Sequence, residues 1–413
     1  MKIQFLGKSP KRRGVTLLLC CASLATIAVA GGQKLGGTKG GGGGKTSVSP
    51  TPSPSPSPSP SPSPSPSPTP TPPSGSVELA SIASNFDVAS ELVPAWGSGA
   101  VPGSAAPDVV GAFRFICNPA HLAKDDPIVY PGQPGKSHLH QFFGNTAVDA
   151  NSTYESLRTK GESTCNSPLN RSAYWMPAMM NGKGQVVRPD YISIYYKRRP
   201  ASDPKCTPGN PGAIGQCVDL PRGLRFVFGY DMVSGKSPTG AAYFNCDGAG
   251  AVSGHFANIV EAAKGCPAGA KLGAIIMAPS CWDGKNLDSP NHRDHVAYAT
   301  DSGFGVCPAS HPKAIPTFTM GVWYTVDDSL NRSGSASWHL SSDIMPGMPM
   351  MTPGSTFHAD WFGAWDDNVM RMWTDNCINK LLNCSGGDLG NGKQLKMFSS
   401  FSWSASPRVV GAL

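Results

Sequence analysis

The sequence has few charged residues and no cluster of positive charge. Lys, Arg, Asp and Glu together make up 15% of its 413 residues. A protein that binds nucleic acid needs a basic stripe to neutralise phosphates, and the sequence contains none. Nucleic acid is therefore not an expected partner.

Cysteine-based metal and redox motifs are also missing. The chain has 12 cysteines, but no two of them have Cys-x-x-Cys spacing. This argues against a thiolate zinc site and against a thioredoxin-like redox motif. A copper site built on a terminal amine is excluded as well, because the expected mature chain begins with Gly31 rather than a histidine.

The first 30 residues predict a signal peptide. Basic residues precede an uncharged apolar run over residues 15–30, which ends in Ala28-Val29-Ala30. The run is short for a spanning helix, so we expect cleavage and no membrane span in the mature chain; an uncleaved anchor is the alternative. Removing residues 1–30 takes five of the 34 Lys and Arg and none of the 27 Asp and Glu, which leaves a net charge of +2.

Low-complexity sequence follows the predicted signal peptide. Residues 31–76 comprise a Gly-rich stretch and then Pro alternating with Ser or Thr. Neither composition buries a core, so we expect a disordered stalk. Residues 77–413 contain no second linker and no repeat, and they predict one globular domain.

Ten cysteines remain in the predicted domain, at positions 117, 165, 206, 217, 246, 266, 281, 307, 377 and 384. An even number in an exported chain predicts a disulfide framework. Because short loops close at the lowest entropic cost, Cys206–Cys217 and Cys377–Cys384 are the first pairs that we expect.

Short β-rich runs recur between clusters of Gly, Pro, Asn and Asp. They cover residues 110–117, 191–196, 224–230, 272–277, 317–326, 337–340 and 396–403. Only residues 258–264 and 367–382 have helical character. We predict a mostly β fold, an antiparallel β sandwich or jelly-roll-like single domain with long loops and one or two short helices.

Three segments carry histidines, and two of them also carry aspartate. In the first, His138 and His140 would project from the same face of a strand, a geometry that suits a metal ion. Paired histidines also occur as hydrogen-bonded core or surface residues. The spacing alone therefore leaves both interpretations open.

The second segment, residues 280–296, is rich in turn-forming residues. His292 and His295 could share one side of a turn, while Asp283, Asp288 or Asp294 orients a ring or acts as a general base. The alternative is a loop whose Asp and Asn side chains satisfy their own backbone.

The third segment, residues 357–366, places His358 and Asp360 at strand spacing among aromatic residues. Aromatic rings beside carboxylates are typical of sugar recognition. For a single tryptophan, however, a place in the core is the more common outcome.

Several runs together resemble a secreted family named domain of unknown function nineteen ninety-six. They are residues 113–117, 126–132, 138–145, 174–177, 281–288, 292, 295, 307–308, 311–312, 358–361 and 363–366. The resemblance covers roughly residues 113–384 and implies an extracellular domain in polysaccharide surroundings, since the family is common in fungi beside sugar-binding modules and also occurs in bacteria. It implies no settled reaction.

We therefore expect a secreted carbohydrate-active protein that acts on an extracellular polysaccharide through a His/Asp cleft, as a glycoside hydrolase or a polysaccharide lyase. The alternatives are a non-catalytic polysaccharide- or cell-wall-binding domain and a copper- or zinc-binding protein.

Candidate residues for this cleft fall into three roles. The candidate ligands of a divalent metal are His138, His140, His292, His295 and His358. The candidate catalytic residues are His140, His295, Asp283, Asp288 and Asp360. The candidate substrate-binding residues are Trp282, Lys285, Asn286, Trp361 and Trp365. We expect the histidines and aspartates to converge although the three segments are far apart in the chain.

The stalk prediction can be tested by deletion. Removing residues 31–76 should leave the melting temperature of the domain unchanged, because apart from proline this segment has only Leu35 and Val48 as apolar side chains to bury. Calorimetry of the two chains measures this. A marked fall in melting temperature would show that the domain boundary is misplaced.

Overall fold

The computed structural model describes residues 77–95, 101–103, 109–300, 305–332 and 335–413. The chain divides into residues 1–66 and 67–413, and every described residue belongs to the second unit. The predicted signal peptide and stalk, residues 1–76, lie outside the described residues. None of the described helices is long and apolar enough to cross a membrane.

Strands are the main elements of the described chain. They are β1 (Leu92–Pro94), β2 (Gly111–Cys117), β3 (Pro119–Ala123), β4 (His140–Gly144), β5 (Ala173–Pro177), β6 (Met179–Met180), β7 (Gln185–Val187), β8 (Tyr191–Arg198), β9 (Gln216–Cys217), β10 (Arg225–Gly229), β11 (Ala242–Asp247), β12 (Lys271–Met277), β13 (Cys281–Trp282), β14 (Val296–Ala297), β15 (Lys313–Ala314), β16 (Thr317–Thr325), β17 (His339–Leu340), β18 (His358–Phe362), β19 (Asn383–Cys384), β20 (Lys393–Leu395) and β21 (Val409–Gly411).

Helices are short. They are α1 (Tyr154–Thr159), α2 (Ile259–Ala263) and α3 (Asp367–Trp373), with 3-10 turns at Ala89–Glu91, Pro204–Cys206 and Ser341–Asp343 and a π turn at Thr374–Ile378. Side chains cap their first turns: Thr153 caps α1, Asn258 caps α2 and Asp366 caps α3. The two predicted helical segments therefore correspond to α2 and to α3 with the π turn.

Two large sheets make up the framework. The five-stranded sheet has the order β10-β18-β5-β4-β3, and the six-stranded sheet has the order β11-β12-β16-β8-β2-β19. Their strands pair antiparallel, except that β19 runs parallel to β2. The remaining strands form smaller sheets, and the predicted mostly β, antiparallel fold is confirmed.

Aromatic side chains from both sheets fill the main core. Phe318 of the six-stranded sheet lies 5.3 Å from Trp361 and 6.2 Å from Phe226 of the five-stranded sheet, measured between ring centroids. Phe115 and Tyr174 meet in the same way at 6.4 Å. Full burial of each such ring stabilises the fold by about 2–3 kcal/mol, so this contact between sheets dominates the packing.

The five-stranded sheet presents a second face, opposite the core. Successive side chains of a strand point to opposite faces. In β18, Ala359 and Trp361 belong to the main core, whereas Phe362 packs into a separate cluster with Phe142 and Trp175. His358 and Asp360 share the face of Phe362, and this outer face carries the candidate site.

Five disulfides join the ten cysteines of the described chain: Cys117–Cys165, Cys206–Cys217, Cys246–Cys266, Cys281–Cys307 and Cys377–Cys384. The predicted framework is confirmed, including the two short-range pairs expected first. Cys281–Cys307 ties the start of the second histidine segment to a distant loop.

One predicted strand is wrong. Residues 396–403 form no sheet pairing. The Asn118 side-chain amide, rather than a strand, bonds Ser402 there: its Oδ1 accepts from the backbone N–H and its Nδ2 donates to the carbonyl. Side-chain groups can thus replace a ladder partner.

The loop that leads into β18 depends on one buried carboxylate. Asp343 accepts hydrogen bonds from the backbone N–H groups of Leu340, Gly354 and Thr356 and from the Thr356 hydroxyl. His358, the first residue of β18, lies two residues after Thr356. The carboxylate therefore fixes the path of the chain into the candidate site.

Asp343→Ala should lower the free energy of unfolding by about 3 kcal/mol, because it leaves buried donors without an acceptor. Asp328→Ala is the control, since the Asp328 side chain is 92% exposed and pairs only with Arg332 at 3.5 Å in the described chain; its effect should stay within about 0.5 kcal/mol. Urea unfolding measures both. Equal effects would contradict a structural role for Asp343.

Candidate functional site

Three imidazoles meet on the outer face of the five-stranded sheet. His140 begins β4, His358 begins β18, and His138 lies on the segment entering β4. The ring centroid of His138 is 4.3 Å from that of His140 and 5.1 Å from that of His358. Two of the three predicted segments therefore converge here.

The backbone fixes the tautomers of two of these rings. Nδ1 of His140 lies 3.0 Å from the carbonyl oxygen of Asp125, and Nδ1 of His358 lies 2.8 Å from that of Thr356. A carbonyl oxygen only accepts, so each Nδ1 carries the proton and each Nε2 keeps a lone pair. This arrangement is typical of metal-binding histidines.

Buried atoms without hydrogen-bond partners concentrate at this point. Within the described chain, Nε2 of His138, Nε2 of His140 and both carboxylate oxygens of Asp360 are buried and have no partner. Burying a carboxylate without a partner is expensive. The cluster thus offers nitrogen and oxygen lone pairs that the described residues leave unused.

Burial shifts the ionisation of these groups toward their neutral forms. Burial, assisted by the charge of His358, lowers the pKa of His140 to about 3, and burial lowers that of His358 to about 4. Burial and the nearby Asp126 carboxylate raise the pKa of Asp360 well above its usual value. Neutral imidazoles are the form that ligates a metal ion.

The donor set fits a divalent ion. One ligand atom each from His138, His140 and His358 lie within 4.8 Å of one another, and the same holds for Asp126, His140 and Asp360. Histidine nitrogens with a carboxylate suit zinc, copper or iron, and catalytic zinc sites commonly use three protein ligands with one open position. A bound ion would satisfy the unused lone pairs together.

A cavity of about 470 Å³ opens onto this cluster. His138, His358 and Asp360 lie in its lining. The polar side chains around them include Tyr130, Asp231, Asn291, His292 and Arg293, and the apolar ones include Val129, Val227, Met232, Val233 and Met345. A ligand in the cavity would therefore reach the histidine cluster.

The two histidines of the second predicted segment lie in different places, His292 at the cavity and His295 in the interior. His292 lines the cavity, and its Nδ1 lies 2.9 Å from Asp288 Oδ1 rather than in the three-histidine cluster. His295 is buried, with Nδ1 on the Ser289 hydroxyl and Nε2 on the Arg225 carbonyl. Both nitrogens of His295 are in use, so its assignment as metal ligand or general base is a poor fit.

Asp283 stabilises its own turn. Its Oδ1 accepts from the backbone N–H groups of Lys285 and Asn286, and its Oδ2 accepts from the Asn286 side chain. None of these residues belongs to the cavity lining. For Asp283, Lys285 and Asn286, the alternative of a self-satisfied loop describes the structure better than a catalytic or substrate-binding role.

The candidate tryptophans do not form a sugar platform. Trp282, Trp361 and Trp365 are all buried and belong to the main core cluster. A ring with no exposed face cannot stack on a ligand. Burial therefore disfavours stacking of these three rings on a sugar, and their role in substrate binding stays a prediction.

Asp126 also lies at the site, although in the sequence analysis it appears only in a run that resembles the family and not among the candidate residues. Its Oδ1 accepts from the backbone N–H groups of Ile128 and Val129, an ordinary turn arrangement. Burial nevertheless raises its pKa to about 6, and it lies beside His140 and Asp360. Only the fold distinguishes it from the other aspartates that cap turns.

Fold and site together define a disulfide-bonded β-sandwich protein with a histidine and aspartate cluster at the base of a cavity. The chain belongs to the family described as Domain of unknown function (DUF1996), whose model matches residues 126–365. The matched region contains every residue of the cluster. Comparison with curated proteins gives no match, and neither does comparison with solved structures.

The cluster predicts one tightly bound divalent ion per chain. His140→Ala removes a central donor and should weaken metal binding by more than about 100-fold. His255→Ala is the control, because His255 is exposed and stacks on Tyr243. Elemental analysis and titration calorimetry with zinc and copper measure the effect. A wild-type chain that binds neither ion would contradict the assignment.

Proposed function

We propose that this protein is a secreted, metal-dependent, carbohydrate-active enzyme that cleaves an extracellular polysaccharide in the cavity above His138, His140 and His358. The observation that carries the proposal is the convergence of three imidazoles with the unpartnered, buried carboxylate of Asp360. These residues would hold a divalent ion, which would polarise a substrate oxygen or lower the pKa of a bound water.

The cavity supports a polar substrate of moderate size. Its volume of about 470 Å³ falls within the range of small-molecule sites. Its lining combines polar Tyr130, Asn291 and Arg293 with apolar Val227 and Met232. Sugars need this combination, because their hydroxyls require hydrogen bonds and their C–H faces require apolar contact.

An extracellular setting agrees with the covalent framework. Five disulfides in one domain are usual where the environment is oxidising and rare in a reducing cytosol. The leading segment predicted to be a signal peptide points the same way. Polysaccharide is the abundant polar polymer class in that setting, which is why we favour it as substrate.

Burial of the tryptophans weakens the case for a non-catalytic wall-binding domain. Such a domain needs an exposed aromatic surface, and Trp282, Trp361 and Trp365 provide none. Trp403 is 58% exposed, but it lies outside the cavity lining.

A copper-binding protein is the second candidate, favoured by one segment. Residues 345–351 contain four methionines, of which Met348, Met350 and Met351 are exposed, and Met345 lines the cavity. Thioethers select Cu(I). A carrier of this kind would bind copper much more tightly than zinc and would turn over no glycan.

Enzyme activity is tested with the full secreted chain on a panel of extracellular polysaccharides. The metal-loaded protein should release new reducing ends or unsaturated products, and chelation or His358→Ala should abolish release while His255→Ala retains it. Retention on insoluble polysaccharide without product would instead support a binding domain. Inactivity in both metal-loaded and chelated forms, combined with strong copper preference, would support the carrier.

A further inference from the structure

His292 stands apart from the other cavity histidines in its backbone. Its φ is 58°, and among the described residues Leu381 is the only other non-glycine residue with a positive φ. This left-handed conformation is disfavoured for side chains with a Cβ. Strained residues of this kind persist where the surrounding contacts impose them, often at functional sites.

Contacts with β10 impose the conformation. The carbonyl of His292 accepts from Val227 N–H at 3.0 Å, and the carbonyl of Leu287 accepts from Arg225 N–H at 3.1 Å. The loop thereby covers the edge of β10 that does not face β18. This docking holds the His292 ring at the cavity instead of in solvent.

A carboxylate orients the ring. Asp288 Oδ1 accepts from His292 Nδ1 at 2.9 Å, and Asp288 Oδ2 accepts from Arg225 Nε at 2.9 Å. Burial alone would raise the pKa of Asp288, but the hydrogen bond from His292 and the charge of Arg225 outweigh it and lower the pKa. Asp288 is therefore ionised, His292 carries its proton on Nδ1, and Nε2 holds the lone pair.

We propose that His292, oriented by Asp288, is the proton-transfer residue of the cavity, acting on glycosidic bonds beside the cluster of His138, His140 and His358. The inference rests on the proposed function for its substrate. Nε2 takes a proton from a water molecule, and the O–H electron pair stays on the oxygen, which bonds to the anomeric carbon. The bond from that carbon to the glycosidic oxygen breaks, and the imidazolium returns its proton to the departing oxygen, so the reaction consumes one water.

His295 shows what a structural histidine looks like in the same loop. It is buried, and both of its ring nitrogens are bonded within the protein. His292 differs in each respect. Its side chain is 22% exposed and lines the cavity, and its Nδ1 donates to the Asp288 carboxylate. An Asp–His pair whose Nε2 bonds none of the described residues has the arrangement of a general base.

The experiment compares His292→Asn with Asp288→Asn, His140→Ala and the control His255→Ala in the full secreted chain. Asparagine tolerates a positive φ, so His292→Asn should melt within a few degrees of the wild type. It should keep one metal ion per chain but lower kcat by about 100-fold or more with little change in KM. Loss of the metal in His292→Asn would make His292 a ligand and overturn the proposal.

Acylation of histidines by diethyl pyrocarbonate provides a readout that needs no substrate. Peptide mapping should show His292 reacting faster than the exposed His255, and Asp288→Asn should slow His292 alone. A His292 that reacts no faster than His255 would overturn the proposal. Fast acylation with retained metal but no glycan cleavage would support the proton-transfer pair and contradict only the proposed substrate.

Discussion

The carboxylate of Asp360 is buried against the five-stranded sheet and has no hydrogen-bond partner in the described chain. An ionised carboxylate in such a place costs several kcal/mol unless a cation compensates it. The buried Nε2 atoms of His138 and His140 also lack a partner in the described chain, and each costs free energy, though less than an ionised carboxylate. A fold that merely needed to be stable would replace these groups with apolar side chains, so their joint presence indicates a ligand.

Strand β18 connects this site to the main core. Ala359 and Trp361 point between the two sheets, while His358 and Asp360 point to the cavity. Because alternate residues of one strand serve the core and the site, the positions of the two donors are as rigid as the packing of Trp361 against Phe226 and Phe318. Asp343, which holds the loop before β18, extends this rigidity to the entry of the strand.

Period-two spacing was enough to place His358 beside Asp360 and to bring His138 near His140. The same alternation shows why Trp361 faces the core: if His358 and Asp360 face the cavity, the residue next to them faces away. Spacing could not show that His292 lines the cavity while His295 is buried. This difference depends on the positive φ of His292, which contacts with β10 impose. A role for Asp126 at the site could not be predicted from spacing either, because its turn-capping hydrogen bonds resemble those of Asp283.

The acceptor on Nδ1 divides the cavity histidines by chemistry. His140 and His358 donate to neutral backbone carbonyls, which fix the tautomer, and burial lowers the pKa of both rings. Those rings are suited to remain neutral ligands. His292 instead donates to the carboxylate of Asp288, which orients its ring. The proposed ligands and the proposed proton-transfer residue therefore differ in the oxygen that Nδ1 meets, a backbone carbonyl in the first case and a carboxylate in the second.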